Sequence, residues 1–158
     1  MSQQDIEVVR RLNEPWEGND VMPRIREAVA YFGPEPDPAV VLAWWADDPG
    51  WRHVHADFEW DSSAVAGVGF STVKGPREVA LWWADWTEAW HSYVYRTVEY
   101  RDLGDWVLGQ YDIEAQGPGE VPVEMKVFQL WKVREGKVAA CRVFTSESEA
   151  LEAAGLSE

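Results

Sequence analysis

The stretch VPVEMKVFQLWKV at 121–133, followed by REGK at 134–137 and VAACRVFT at 138–145, decides the fold. Alternate residues of a strand point to opposite sides. One side of the first segment therefore carries Val123, Met125, Val127, Gln129, Trp131 and Val133, an apolar face interrupted by a single amide. Arg134-Glu135-Gly136-Lys137 supplies a hairpin turn, with Gly136 suited to positive φ, so that a second strand from Lys137 to Thr145 returns beside the first. An amide in an apolar face needs a partner, because an unpaired buried one costs roughly 1–3 kcal/mol. The partner of Gln129 is a neighbouring strand, a buried water or a bound molecule.

Upstream, the same period-two pattern marks strands at Tyr93 to Tyr100 and Trp106 to Ala115, joined through Leu103-Gly104-Asp105 and leading to the turn Gly117-Pro118-Gly119. Four strands in sequence make an antiparallel meander. Before it, Gly75-Pro76-Arg77-Glu78 opens a helix whose face is Val79, Trp83, Trp86 and Trp90, at steps of four, three and four. A glycine-rich turn separates that helix from a strand at Trp51 to Asp61. There Val54, Ala56, Phe58 and Trp60 face one way and His53, His55, Asp57 and Glu59 the other.

Three helices come first. Ile6, Val9, Leu12 and Trp16 recur at helical spacing until Pro15 ends the first helix. Met22, Ile25, Val29 and Phe32 mark the second, after the break at Gly18-Asn19-Asp20. Asp37-Pro38 caps a short third helix that Asp48-Pro49-Gly50 stops. At the far end, Ser146 and Glu149 form a capping box for a terminal helix at Ala150 to Ala154 that Gly155 ends.

Composition narrows the function. The 158 residues suit one domain, with 46% hydrophobic and 27% charged residues. A net charge of −14 with no basic stripe argues against nucleic acid and anionic lipid surfaces as partners. No apolar run reaches the roughly 18 residues that cross a bilayer, and the start MSQQD has no export-signal pattern, so cytoplasmic residence is expected. Cys141, the single cysteine, has no internal disulfide partner and reads as a buried thiol rather than a nucleophile. His53, His55 and Asp57 fall on the solvated side of their strand, so no metal is expected. The eleven tryptophans are the anomaly: each brings a large apolar area and one N–H that seeks a partner. So many in one small domain indicate an aromatic core, a cavity or an interface.

This order of elements, with DFEW at 57–60, GPREV at 75–79, LGD at 103–105, residues 131–138 and EALEAAGL at 149–156, resembles the SnoaL-like branch of the NTF2-like (nuclear transport factor 2-like, steroid isomerase-like) superfamily. Residues 33–50 look like an insertion that brings Trp44, Trp45 and Trp51 and lids or reshapes a pocket. The resemblance implies an α+β cone, a curved antiparallel sheet wrapped against N-terminal helices around an apolar pocket, in a homodimer packed through the sheet.

The superfamily's chemistries map incompletely onto this chain. In the steroid isomerase pattern, the worked case of carboxylates tuned by environment, Leu12 stands where a tyrosine is expected, Trp60 where the base is expected, and Gln129 where a protonated acid is expected. In the limonene epoxide hydrolase pattern, Gln110 replaces an arginine and Val143 a second aspartate, while Asp112 matches. The cyclase pattern needs one acid–base carboxylate, and Asp112 fits it; desolvation in an aromatic pocket would raise its pKa towards neutrality. Hydropathy, however, places Val107, Tyr111 and Ile113 on the core face and Gln110, Asp112 and Glu114 on the solvated face, whereas the family register turns Leu108, Gln110 and Asp112 inward. A β-bulge would decide between them.

Three functions follow from different classes. One is a cofactor-independent acid–base enzyme of cyclase, isomerase or hydrolase type acting on a small hydrophobic molecule. In it Asp112 is the base, Gln129 and Gln110 donate hydrogen bonds, and Phe58, Trp60, Trp83, Trp86, Trp90, Met125, Trp131 and Val143 form the substrate pocket. The second is a non-catalytic binder of an apolar ligand. The third is a dimeric structural domain whose cone is filled by its own side chains.

Overall fold

A computed structural model of the chain describes residues 2–65 and 72–156. Three helices lead: α1 (Ser2–Asn13), α2 (Met22–Phe32) and α3 (Pro38–Asp47). Then come β1 (Val54–Asp61), β2 (Thr72–Lys74), α4 (Gly75–Ala89), β3 (Ser92–Asp102), β4 (Val107–Gln116), β5 (Pro122–Arg134), β6 (Lys137–Phe144) and α5 (Glu147–Ala153). The glycine-rich turn before α4 falls partly on residues 66–71 and lies outside the described residues.

The six strands form one curved, unclosed sheet in the order β2-β1-β6-β5-β4-β3. Its neighbours run antiparallel except β1 and β6, which are parallel. The curved, largely antiparallel sheet is as expected, and the reason for its one parallel pair is topological. β1 precedes α4 and the meander, so β6 returns beside it through a long crossover, as parallel pairs require. The β5–β6 hairpin turns on Glu135 and Gly136, both at positive φ, as a two-residue type I′ turn demands. A single 3-10 turn at Trp51–His53 replaces the expected start of β1. A register shift between Val54 and Glu59 then breaks the simple alternation, leaving Ala56 exposed while Val54 and Phe58 are buried.

The concave face of the sheet packs against α1 and α4, with α2 packed on α4, and the main core lies between sheet and helices. The α1–α2 connection is fastened to the edge of β3: Gly18 N donates to Tyr95 O at 2.8 Å and Val21 N to Tyr93 O at 2.9 Å. Asp20 does the rest, its Oδ1 accepting from the backbone of both Met22 and Tyr93. An edge strand that would otherwise present unpaired groups is thereby covered. On the convex face a second, smaller cluster of Leu108, Phe128, Leu130 and Phe144 is roofed by α5 through Ala150. Ser146 caps that helix as expected, its Oγ accepting from Glu149 N at 3.3 Å.

Candidate functional site

Between the sheet and the helices lies a cavity of about 360 Å³. The end of α1 contributes Leu12 and Asn13, the turn after it Trp16, and the N-cap and first turn of α2 Val21 and Ile25. The apolar part of the first face was legible in the sequence because Ile6, Val9, Leu12 and Trp16 recur at helical spacing. From α4 come Trp82, Trp83 and Trp86, and from its C-cap Trp90; from the sheet come Phe58 and Trp60 of β1, Tyr93 and Tyr95 of β3, Tyr111 and Ile113 of β4, Met125, Val127, Gln129 and Trp131 of β5, and Val143 of β6. Trp51, Ser62, Val65 and Thr145 complete the wall.

All eight residues assigned to a substrate pocket, Phe58, Trp60, Trp83, Trp86, Trp90, Met125, Trp131 and Val143, therefore face one space, and Gln129 faces it too. The carboxamide of Gln129 makes no hydrogen bond to another described residue, while its backbone is fixed between Gly109 and Val143.

Asp112 and Gln110 are elsewhere, and their inward reading is corrected. The β4–β5 register runs without a break from Val107 opposite Trp131 to Gln116 opposite Pro122, so Tyr111 and Ile113 point into the cavity and Asp112 points out. The one irregularity on β4 is on its β3 side, between Thr97 and Glu99, where the exposed Val98 sits. Asp112 lies in solvent, 2.9 Å from Lys126 Nζ, its partner across β5. Desolvation decides the matter: outward placement leaves the carboxylate hydrated and paired, while inward placement would bury a charge among rings and expose Tyr111 and Ile113 instead.

Among the described residues the cavity wall carries no carboxylate, imidazole, thiol, ammonium or guanidinium. Residues 66–71 read AGVGFS and contain no ionisable side chain either. The polar groups of the wall are instead amides, hydroxyls and phenols. Tyr111, 1% exposed, accepts from Trp131 Nε1 at 2.9 Å. The buried Asn13 holds Tyr95, whose hydroxyl donates to Asn13 Oδ1 at 3.0 Å, while Asn13 Nδ2 donates to Val9 O at 3.0 Å. Tyr100 extends this network through Thr97 to Glu17. Burial pushes the Tyr111 and Tyr95 phenols well above the ordinary phenol range and raises Tyr93 as well, so all three are neutral hydrogen-bonding groups.

This network was missed in the sequence, although Asn13, four residues after Val9 on the buried face of α1, was its visible sign. Gly109 was a second sign. A Cβ there would lie 2.4 Å from the Tyr111 hydroxyl, so glycine at this point of β4 lets the phenol fold back over its own strand.

The segment 33–50 braces the wall from behind. Trp44 packs edge-on against Trp83 at 5.7 Å and against Phe32 at 5.9 Å, and the buried Trp45 packs on Trp51 at 5.1 Å. Neither of its two tryptophans lines the cavity, whereas Trp51, the residue that follows the segment, does. His55 and Asp57 are engaged with Glu135 and Arg134 on the outside, and no metal-holding group of His, Cys, Asp or Glu occurs among the described residues. Cys141 is buried with its thiol pushed well up by desolvation, away from the cavity wall.

Helices on the concave side of an unclosed six-stranded sheet match many solved structures. A protein of unknown function from Burkholderia pseudomallei K96243, described as NTF2-like, superposes with a TM-score of 0.61 at 13% identity over 94% of this chain and 95% of that one. This chain has the NTF2-like fold. An NTF2-like protein from Burkholderia xenovorans LB400 matches with a TM-score of 0.57 at 17% identity, covering 98% of this chain and 97% of that one. A protein with a ketosteroid isomerase-like fold from Catenulispora acidiphila DSM 44928, in complex with trimethylamine, matches with a TM-score of 0.52 at 18% identity, covering 85% and 94% respectively. No protein-family model and no curated protein matches the sequence. Across such neighbours the NTF2-like fold is what is shared, and fold does not carry chemistry with it.

Proposed function

We propose that the cavity binds a small, largely apolar molecule, and that Gln129 orients it without a carboxylate base. One observation carries this reading: an aromatic cavity of about 360 Å³ whose described wall holds no ionisable group other than neutral phenols. That volume and make-up suit a small-molecule site, in which apolar walls supply affinity and a few polar groups supply orientation. General acid–base catalysis would need a titrating group within hydrogen-bond reach of the substrate. Asp112, the candidate for that role, sits on the opposite face of the sheet and is paired with Lys126. Gln129 offers the N–H groups of its amide or its carbonyl oxygen to an uncharged polar group of the ligand.

The test is saturable binding of a neutral fluorophore, N-phenyl-1-naphthylamine, followed by its emission and by energy transfer from the tryptophans. The expected result is one site per chain, about tenfold weaker in Val127→Trp, which fills the cavity, with the far-ultraviolet circular dichroism unchanged. Gln129→Leu should retain this probe, which needs no amide, and lose selectivity among ligands bearing a carbonyl. Failure of the wild-type protein to bind the fluorophore, or undiminished binding in Val127→Trp, would refute the proposal.

A further inference from the structure

We infer that the ligand held in this cavity is an organic cation whose ammonium head is carbon-substituted, gripped by the faces of indole rings; the inference rests on the cavity being a binding site. Eight tryptophans line one space. A merely greasy pocket is made as well by leucine and isoleucine, which bring no N–H to satisfy. Here the fold carries that burden visibly: Trp60 Nε1 is buried with no hydrogen-bond partner among the described residues, an arrangement that is unfavourable in itself. What indole supplies and an aliphatic chain does not is a π face with negative potential, which attracts a cation lying over it.

The rings around Trp60 form walls that meet at an angle. Trp131 stands at 6.4 Å and 72° to it, Phe58 at 6.4 Å and 53°, and Trp82 at 4.7 Å and 38°. Aromatic walls at several inclinations are the geometry of cages that hold quaternary ammonium groups. One lining indole already has a cation over its ring, for the Arg24 guanidinium carbon lies 4.4 Å from the Trp16 ring centre.

Charge selects in the same direction. An anion entering the cavity would meet no cationic side chain among the described lining residues, in a protein of net charge −14. A primary ammonium would need several acceptors to replace its water. Yet Asn13 Oδ1 and the Tyr111 oxygen are already engaged by Tyr95 and Trp131. The Gln129 carboxamide, which makes no hydrogen bond to a described residue, leaves one amide oxygen, fewer than the several acceptors a primary ammonium needs. A methylated or otherwise alkylated ammonium makes no such demand, so it matches this wall of ring faces.

The experiment compares two molecules of one shape, phenyltrimethylammonium and the neutral tert-butylbenzene, as competitors of the bound naphthylamine. Water holds the cation more strongly, so simple apolar transfer favours the neutral compound; ring-face attraction and the negative charge of the protein both oppose that order, and the Trp60 variants, which leave the charge of −14 unchanged, separate the two. Expected is displacement about tenfold more effective for the cation, ~1.4 kcal/mol, with benzenesulfonate inert. Trp60→Leu should bring the two competitors close to parity while keeping the neutral one bound, and Trp60→Phe should retain part of the preference. Equal or better displacement by tert-butylbenzene, or a cation preference unchanged in Trp60→Leu, overturns the inference and leaves the apolar binding site standing. A wild-type protein that takes up none of the probe, the cation and the neutral compound removes both readings together.

Discussion

Tyr111 holds the sheet side of the cavity through one oxygen atom, which is why its loss should be felt beyond its own ring. Its hydroxyl accepts from Trp131 Nε1 and lies beside Asn13 Nδ2 at 3.5 Å. Removing it in Tyr111→Phe strands a buried indole donor, and an unsatisfied buried group costs about 1–3 kcal/mol. Urea unfolding should show a loss of that size with an unchanged slope; a midpoint identical to wild type would mean that water replaces the phenol. The neighbouring residue gives the opposite expectation. Asp112 is exposed and its pair with Lys126 is a surface pair, worth at most about 1 kcal/mol. Asp112→Asn should leave both the thermal midpoint and the affinity for the neutral fluorophore unchanged, and a marked drop in affinity would put that carboxylate back in the site.

At the scale of elements, the joint between α1, α2 and α3 depends on one buried carboxylate. Asp48, which follows α3, is 2% exposed and pairs with Arg24 of α2. Its Oδ2 accepts from Trp16 Nε1 at 3.0 Å, Gly50 N at 3.0 Å and Trp51 N at 2.9 Å. Two of those donors belong to cavity-lining tryptophans, so this joint positions one wall of the site. Gly50 must be small here, since a Cβ would lie 2.4 Å from Leu12 O at the end of α1. Asp48→Ala leaves a guanidinium and three N–H groups without their acceptor, and breaking a buried pair from one side costs about 3–5 kcal/mol. Denaturant titration should show that loss, accompanied by a shift in tryptophan emission as Trp16 and Trp51 are released. A loss below about 1 kcal/mol would show that solvent already screens the pair.

For the whole molecule, the protonation states of the buried phenols set an alkaline limit. Burial raises Tyr93, Tyr95, Tyr100 and Tyr111 above the ordinary phenol value of 10.0 and Cys141 above the ordinary thiol value of 9.0. Each group therefore keeps its proton longer in the folded chain than in the unfolded one. Stability is full below the unfolded values and falls as pH rises past them, because the unfolded chain ionises first. Tyrosinate absorbance in an alkaline titration should rise for these groups together with loss of circular dichroism, in one cooperative step above pH 10. Gradual independent ionisation with the fold intact would contradict the packing described for the cavity wall.

The order of elements, the aromatic stripe of α4 and the inward face of β5 were all readable from the chain, because period and turn chemistry are local properties. Gln129 between Val127 and Trp131, or Trp83 three residues before Trp86, declares its side without reference to anything distant. The orientation of Asp112 was not readable, since hydropathy and family register disagreed and only continuous pairing of β4 with β5 chose between them. The contact of Asn13 with Tyr111 across 98 residues, the anchoring of Trp16 by Asp48, and the parallel return of β6 beside β1 likewise came only from the tertiary structure. The sequence by itself determined that a curved sheet and helices would enclose an aromatic interior. Packing decided which polar groups that interior admits, because the cost of desolvating a charge depends on every element that closes around it.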